Sequence, residues 1–345
     1  MKKIKKIIIY ATGMAFVSIT FYSLFIYHQL QVWKYEGPET TFEVKRGESF
    51  SKINYRLKKA GIISNSTLFY RLAKIKDVVT RVRVGEHHIP SQVNMINIIT
   101  LLTAGPGSDI AITIPEGKNI YDIANILYEK NIIDDPSAFI SDAKNKDLTE
   151  SLGIPAETIE GYLYPDTYKF GKNVFPQTII RKMVGNFFDK IKNLNFKNSK
   201  LSPHEVIILA SIVEKETGAE FERPIIAGVF HNRLNKKMRL QSDPTTIYGI
   251  FENFSGNLRK KDLQEKTPYN TYRIDGLPIG PISNPGISSI KAVLAPKEHQ
   301  FLYFVSQNDG THVFTKTYQE HLAAVKKWQL NQSNRKGKSW RDFTN

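Results

Sequence analysis

Two glutamates close an apolar stretch near the middle of the chain. Residues 206–213 are apolar or small throughout, and Glu214, Lys215, Glu216, Thr217 and Gly218 follow at once. Upstream, Ser202 suits an N-cap, Pro203 the first helical position, and Glu205 the third residue of a capping box. This spacing predicts a helix over residues 202–217, with Gly218 as the residue beyond the cap. A helix with no polar face is buried. At its C-terminal end the unpaired carbonyls disfavour an ionised glutamate, and burial pushes its pKa in the same direction. A carboxyl that keeps its proton near neutral pH can act as a general acid. The bland alternative is a surface helix end whose glutamates pair with Lys215 or Arg223. Glu214 and Glu216 lie two residues apart and point ~200° away from each other, so they cannot form one carboxylate pair. Only one of them can face a cleft.

Other chemistries find less support. The chain has no cysteine, which excludes disulfides, thiolate catalysis and Cys-ligated zinc. Its eight histidines include no HExxH, and His87 and His88, adjacent in a strand, point to opposite faces. No metal and no cofactor is therefore expected. There is no G-x-S-x-G elbow and no phosphate loop; Gly337-Lys338-Ser339 lacks the upstream glycine and reads as solvated. The net charge of +15 suggests a nucleic-acid partner, but the topology described next places most of that charge outside the cytoplasm. There an anionic wall polymer or lipid surface is the fitting partner, and no nucleic acid is expected.

The elements that must position such a helix can be followed along the chain. Lys2, Lys3, Lys5 and Lys6 precede an uncharged stretch at 7–27, 21 residues long, enough to span a bilayer. The stretch exceeds a signal-peptide core, and no small-x-small cleavage site follows it, so a single-pass anchor is expected with residues 1–6 in the cytoplasm. Residues 28–40 read as a connector. A repeat at an offset of 70 then appears: Phe50, Ile53, Leu57, Ile62, Ile63 and Phe69 align with Ile120, Ile123, Leu127, Ile132, Ile133 and Phe139. Each copy reads as a strand (41–44; 110–114), a Gly turn and two helices. Residues 85–90 complete the first copy, and residues 160–165 are expected to be their counterpart. A helical pattern at 176–193, the segment from 201 to about 330 and a polar tail at 331–345 follow.

The expected fold class is α+β. It comprises an N-terminal transmembrane helix, βαα(β) modules at 41–108 and about 110–170, and a mixed α/β catalytic domain at 109–330 around the buried helix. Units of this kind resemble LysM-like glycan-binding modules, although periodicity alone specifies only a small α+β repeat.

The run from Ala210 to Thr217, with Glu222-Arg223, Val229-Phe230 and Asn232-Arg233-Leu234, resembles the YceG-like (MltG) family of endolytic murein transglycosylases. So do Met238 to Thr245, Tyr248-Gly249, Tyr269 to Tyr272 and Gly276-Leu277-Pro278. Glu160-Gly161, Pro165-Asp166-Thr167, Asn284-Pro285-Gly286 and Tyr303-Phe304-Val305 fit the same pattern. The resemblance implies cleavage of MurNAc–GlcNAc β-1,4 bonds within peptidoglycan strands, leaving 1,6-anhydro-MurNAc ends and terminating nascent strands. One carboxyl suffices for this chemistry. The second glutamate is the one that corresponds within the family motif, so Glu216 is the expected acid/base and Glu214 the second candidate. Gln241, Asp243, Tyr248, Tyr269, Asn270 and Tyr272 are the expected substrate-binding residues. The resemblance further implies a cell (inner) membrane location with the catalytic domain outside the cytoplasm, and peptidoglycan synthases (penicillin-binding proteins) as neighbours. The rival readings are a non-catalytic LysM-type wall-binding or scaffold protein, and a true hydrolase in which water attacks the sugar.

Overall fold

The computed structural model describes residues 2–104, 110–171 and 174–331; at 2–12, 15, 16 and 104 it describes the backbone alone. The tail expected at 331–345, with Gly337-Lys338-Ser339, lies almost wholly outside the described residues. Helix α1 (Lys2–Tyr27) begins the chain. Many side chains of the stretch expected to span a membrane, 7–27, lie outside the described residues. Among the described residues no helix is long and apolar enough to cross a membrane.

The chain divides into two compact units, the first formed mainly by residues 1–111 and the second mainly by residues 112–130, 135–168 and 179–345. In the first, strand β1 (Thr40–Val44) leads into helices α2 (Phe50–Lys59) and α3 (Ser66–Ile75), strand β2 (Gly85–Ile89) and helix α4 (Met95–Ala104). β1 and β2 pair antiparallel, with Phe42 opposite His87 and Thr40 opposite Ile89. Ser49 and Asn65 cap α2 and α3 with their side chains, as their short polar groups favour. Phe50, Ile53, Leu57, Ile63, Phe69, Ile89, Ile98 and Leu102 form the core, with Phe50 stacked on Phe69 at 6.0 Å. The stretch read as a connector is ordered against this core. Tyr35 is buried, its N–H donates to the Val93 carbonyl at 2.8 Å, and Trp33 packs alongside. His87 has both ring nitrogens at backbone carbonyls, of Leu101 at 2.9 Å and Arg83 at 2.8 Å.

The second half of the repeat supplies strand β3 (Ile110–Thr113) and helices α5 (Ile120–Glu129) and α6 (Pro136–Ala143) at the expected offset. A further helix, α7 (Lys146–Ser151), then intervenes, and β3's partner strand β4 (Thr167–Phe170) comes later than expected. The counterpart expected at 160–165 is corrected accordingly: residues 160–164 are buried but not a strand. The insertion frees them for a separate task, described below.

The remaining elements are α8 (Pro176–Ile191), α9 (Pro203–Glu216), α10 (Arg223–Asn235), α11 (Asp243–Gly249), α12 (Ile287–Leu294), the antiparallel pair β5 (Tyr303–Ser306) and β6 (His312–Thr315), and α13 (Tyr318–Val325). The class is mixed α and β with small two-stranded sheets. α9 carries the full capping box of Ser202 and Glu205, and every residue from 206 to 213 is buried. It packs against α10, α11 and α12. Each large apolar side chain buried there stabilises the fold by roughly 1.5–3 kcal/mol. The chain leaves α9 through an extended Thr217, and Gly218 does not adopt the left-handed backbone common after helix ends. Thr217 instead uses its hydroxyl, accepting from the Ala219 N–H at 2.9 Å and donating to Glu222 at 3.3 Å.

Candidate active site

The two glutamates at the end of α9 have separate fates. Glu216 is half-buried and accepts a hydrogen bond of 2.5 Å from the Ser242 hydroxyl. Burial pushes its pKa up to about 7, and the charge of Asp243 adds to the rise; the Ser242 hydrogen bond and the Arg233 guanidinium pull it back. Ser242 is itself buried and anchored, its N–H donating to the Thr271 hydroxyl at 2.9 Å. Just before it, Gln241 takes a left-handed backbone (φ 48°), and its N–H bonds the Thr271 carbonyl at 3.2 Å. That turn aims the serine at Glu216.

Glu214 is closed off. Its side chain is 4% exposed, bound to Arg223 at 2.9 Å and to the Gly286 N–H at 2.9 Å. Arg223 also reaches Glu116 at 3.3 Å. Burial and the nearby Glu214 charge raise the pKa of Glu116, against the lowering effect of Arg223. The surface-pairing reading thus applies to one glutamate, though in a buried setting, and the carboxyl held by a serine hydroxyl rather than an arginine is the other. The separation follows from helical geometry, since residues two apart face different neighbours.

A further carboxyl has a perturbed pKa. Glu160 is fully buried and accepts from the Ile120 N–H at 3.0 Å, the Tyr248 hydroxyl at 2.9 Å and the Asn284 amide at 2.7 Å. Burial raises its pKa to about 7, opposed by the hydrogen bonds from Ile120 and Tyr248. Asn284 also donates to the Lys118 carbonyl and accepts from the Leu163 N–H, so Glu160 and Asn284 tie four chain segments together. Next to Glu160, Gly161 has a φ of 89°, and a Cβ there would overlap Pro281. Only glycine suits that position.

The residues expected to bind substrate sort into three places. Asp243 and Tyr272 are joined by a hydrogen bond of 2.7 Å beside Glu216, with Gln241 exposed next to them. Tyr248 and Tyr269 lie at the far end of α11, about 9 Å along the helix from Ser242 at 1.5 Å per residue. They belong to a row of half-buried rings: Phe251 stacks on Tyr121 at 4.5 Å, Tyr121 meets Tyr248 at 6.4 Å, and Tyr248 meets Tyr269 edge-on at 4.8 Å. Burial lifts the Tyr269 pKa to about 12. Asn270 is different: it is fully buried, and its amide is taken up by the Glu265 carbonyl, the Thr246 hydroxyl and the Tyr272 N–H. It braces the loop rather than facing a ligand.

The sequence assigned no role to Ser242, Asn284 or Glu160, each of which entered only as part of a motif. Each is polar, buried and followed within two residues by proline or glycine, but their partners are far away in the chain. Chemically, the Glu216 end of α9 offers one proton donor and acceptor, a nearby negative charge held by Tyr272, and an aromatic surface along α11.

The YceG-like family profile matches residues 42–327. The endolytic murein transglycosylase of Bacillus subtilis strain 168 is 34% identical over 309 residues, covering 83% of this chain and 83% of that protein. The endolytic murein transglycosylase of Streptococcus pneumoniae strain R6 is 28% identical over 81% of this chain, which spans 57% of that longer protein. A crystal structure of a yceG-like protein from Listeria monocytogenes shares 32% identity and a TM-score of 0.57, over 83% of this chain and 98% of that one. The profile covers the segments that build α9 and its surroundings, and the chain belongs to the YceG-like family.

Proposed function

We propose that this chain is an endolytic murein transglycosylase with Glu216 as its acid/base. The observation that carries the reading is the carboxyl at the end of a buried helix, held by the Ser242 hydroxyl rather than by an arginine and protonated up to about pH 7. Protonated Glu216 gives its proton to the glycosidic oxygen as the bond to the muramyl C1 breaks. The resulting carboxylate then takes the proton of the muramyl C6 hydroxyl, whose oxygen attacks C1. A 1,6-anhydro ring forms, no water is consumed, and Glu216 ends the cycle protonated. Asp243, fixed by Tyr272, lies where its charge favours the positive charge developing at C1. Gln241 and Tyr272 border the sugar site, and Tyr248 and Tyr269 extend it.

In this reading residues 7–27 anchor the chain in the cell membrane, with the N-terminal lysines inside and the catalytic part, 109–330, outside. Support comes from α1, whose Met14, Val17, Ile19, Phe21, Leu24 and Phe25 stay exposed, as side chains facing lipid do. The strand–helix–helix–strand unit at 41–108 acts as a LysM-like module that holds glycan. Cutting inside strands close to the membrane suits termination of nascent strands beside peptidoglycan synthases.

Digestion of purified sacculi in heavy-oxygen water separates this chemistry from hydrolysis. Fragments lighter by one water than hydrolytic products, with no heavy oxygen at their new ends, are expected. Heavy oxygen at the reducing ends would instead mean that water attacks C1, and absence of any fragments would favour the wall-binding reading.

A further inference from the structure

A cavity of about 270 Å³ is lined by Arg239, Lys266, Thr267, Arg273 and Ile274. Three of these five residues are cations. Arg239 is fixed, donating to Asp275 at 2.9 Å and to the Tyr272 carbonyl at 3.0 Å. Among the described residues neither Lys266 nor Arg273 forms an ion pair, so of the three cations only Arg239 is paired with a carboxylate, that of Asp275. A concave surface lined with unbalanced charge focuses its field and concentrates ions of the opposite sign.

Hydrogen bonds through Tyr272 link the cavity to the reacting region. Tyr272 accepts from Arg239 with its carbonyl and donates its hydroxyl to Asp243, which follows the serine that holds Glu216. A sugar seated at Glu216 would therefore place its substituents within reach of Arg239 and its neighbours. In peptidoglycan those substituents are anionic: the muramyl lactyl group is a carboxylate when free, and otherwise carries a peptide stem that ends in one.

We propose that this cavity binds an anionic oxygen group, carboxylate or phosphate, carried by the wall polymer next to the bond that is cut. The proposal rests on the transglycosylase reading, and its test is read by affinity rather than by cleavage. Full-length Glu216→Gln protein is titrated with glycan strands bearing peptide stems, with strands stripped of their stems whose freed lactyl carboxylates have been converted to neutral amides, and with inorganic phosphate. Each titration is repeated with Lys266→Gln/Arg273→Gln added, and with the charge-keeping pair Lys266→Arg/Arg273→Lys.

At low salt the loss of two partly exposed cations is expected to weaken binding of stem-bearing strands roughly tenfold, about threefold for each charge. Stripped strands should bind the two proteins alike, and the charge-keeping pair should restore the affinity. If stems make no difference but phosphate binds the starting protein and not the Gln pair, the site is a phosphate site, and the proposal stands in that form. Equal affinities for all three probes with and without the Gln pair, at unchanged melting temperature, would overturn it. Cleavage by the Glu216→Gln protein would be seen in the products and would overturn the catalytic reading instead.

Discussion

Glu216→Gln is expected to slow strand cleavage by about 10²–10⁴-fold, the usual contribution of a general acid. The amide oxygen still accepts the Ser242 hydrogen bond, so the local geometry is kept while the proton is lost. Stability should move in the opposite direction. A glutamate with a folded pKa raised to about 7 contributes stability that is fully present below its ordinary value of 4.5 and is lost as pH rises through 7. The amide does not titrate, so the variant's melting temperature relative to the parent should climb between pH 5 and pH 8. Full cleavage by the variant in sacculus digests would remove Glu216 from the reaction.

Arg223→Met is expected to cost about 3–5 kcal/mol of folding stability, because it leaves the enclosed Glu214 without its partner. Glu116 would then face Glu214 with no cation between them. Adding Glu214→Gln should recover much of the loss, since the uncompensated charge is the main source of the penalty. Thermal melts of the two single variants and the double variant measure this coupling. Strictly additive losses would show that the pair is not a unit.

The contrast between these two glutamates shows how far the sequence could be read. The helix, its capping box and its burial were legible because each depends on residues within a few positions of one another. The first two helices of each repeat were legible for the same reason. Which glutamate faced inward was not, because Arg223 and Ser242 decide it from different directions. Glu160 was harder still: its partners Ile120, Tyr248 and Asn284 lie 40 to 124 residues away, and no local pattern announces such a junction. The assignment of 160–165 as a strand counterpart failed because α7 interrupts the repeat. Asn270 looked like a sugar ligand by residue type, but a buried amide must satisfy its own hydrogen bonds first.

The requirement that Glu216 enter the reaction protonated is most directly tested by the pH dependence of kcat/KM on purified strands, which reports the free enzyme. A single limb is expected, with activity level in mildly acid solution and falling as pH rises through about 7, where the carboxyl loses its proton. Activity that instead rises with pH through the ordinary carboxylate range and stays high in alkali would contradict the account, because it would require an ionised base where a proton donor has been placed.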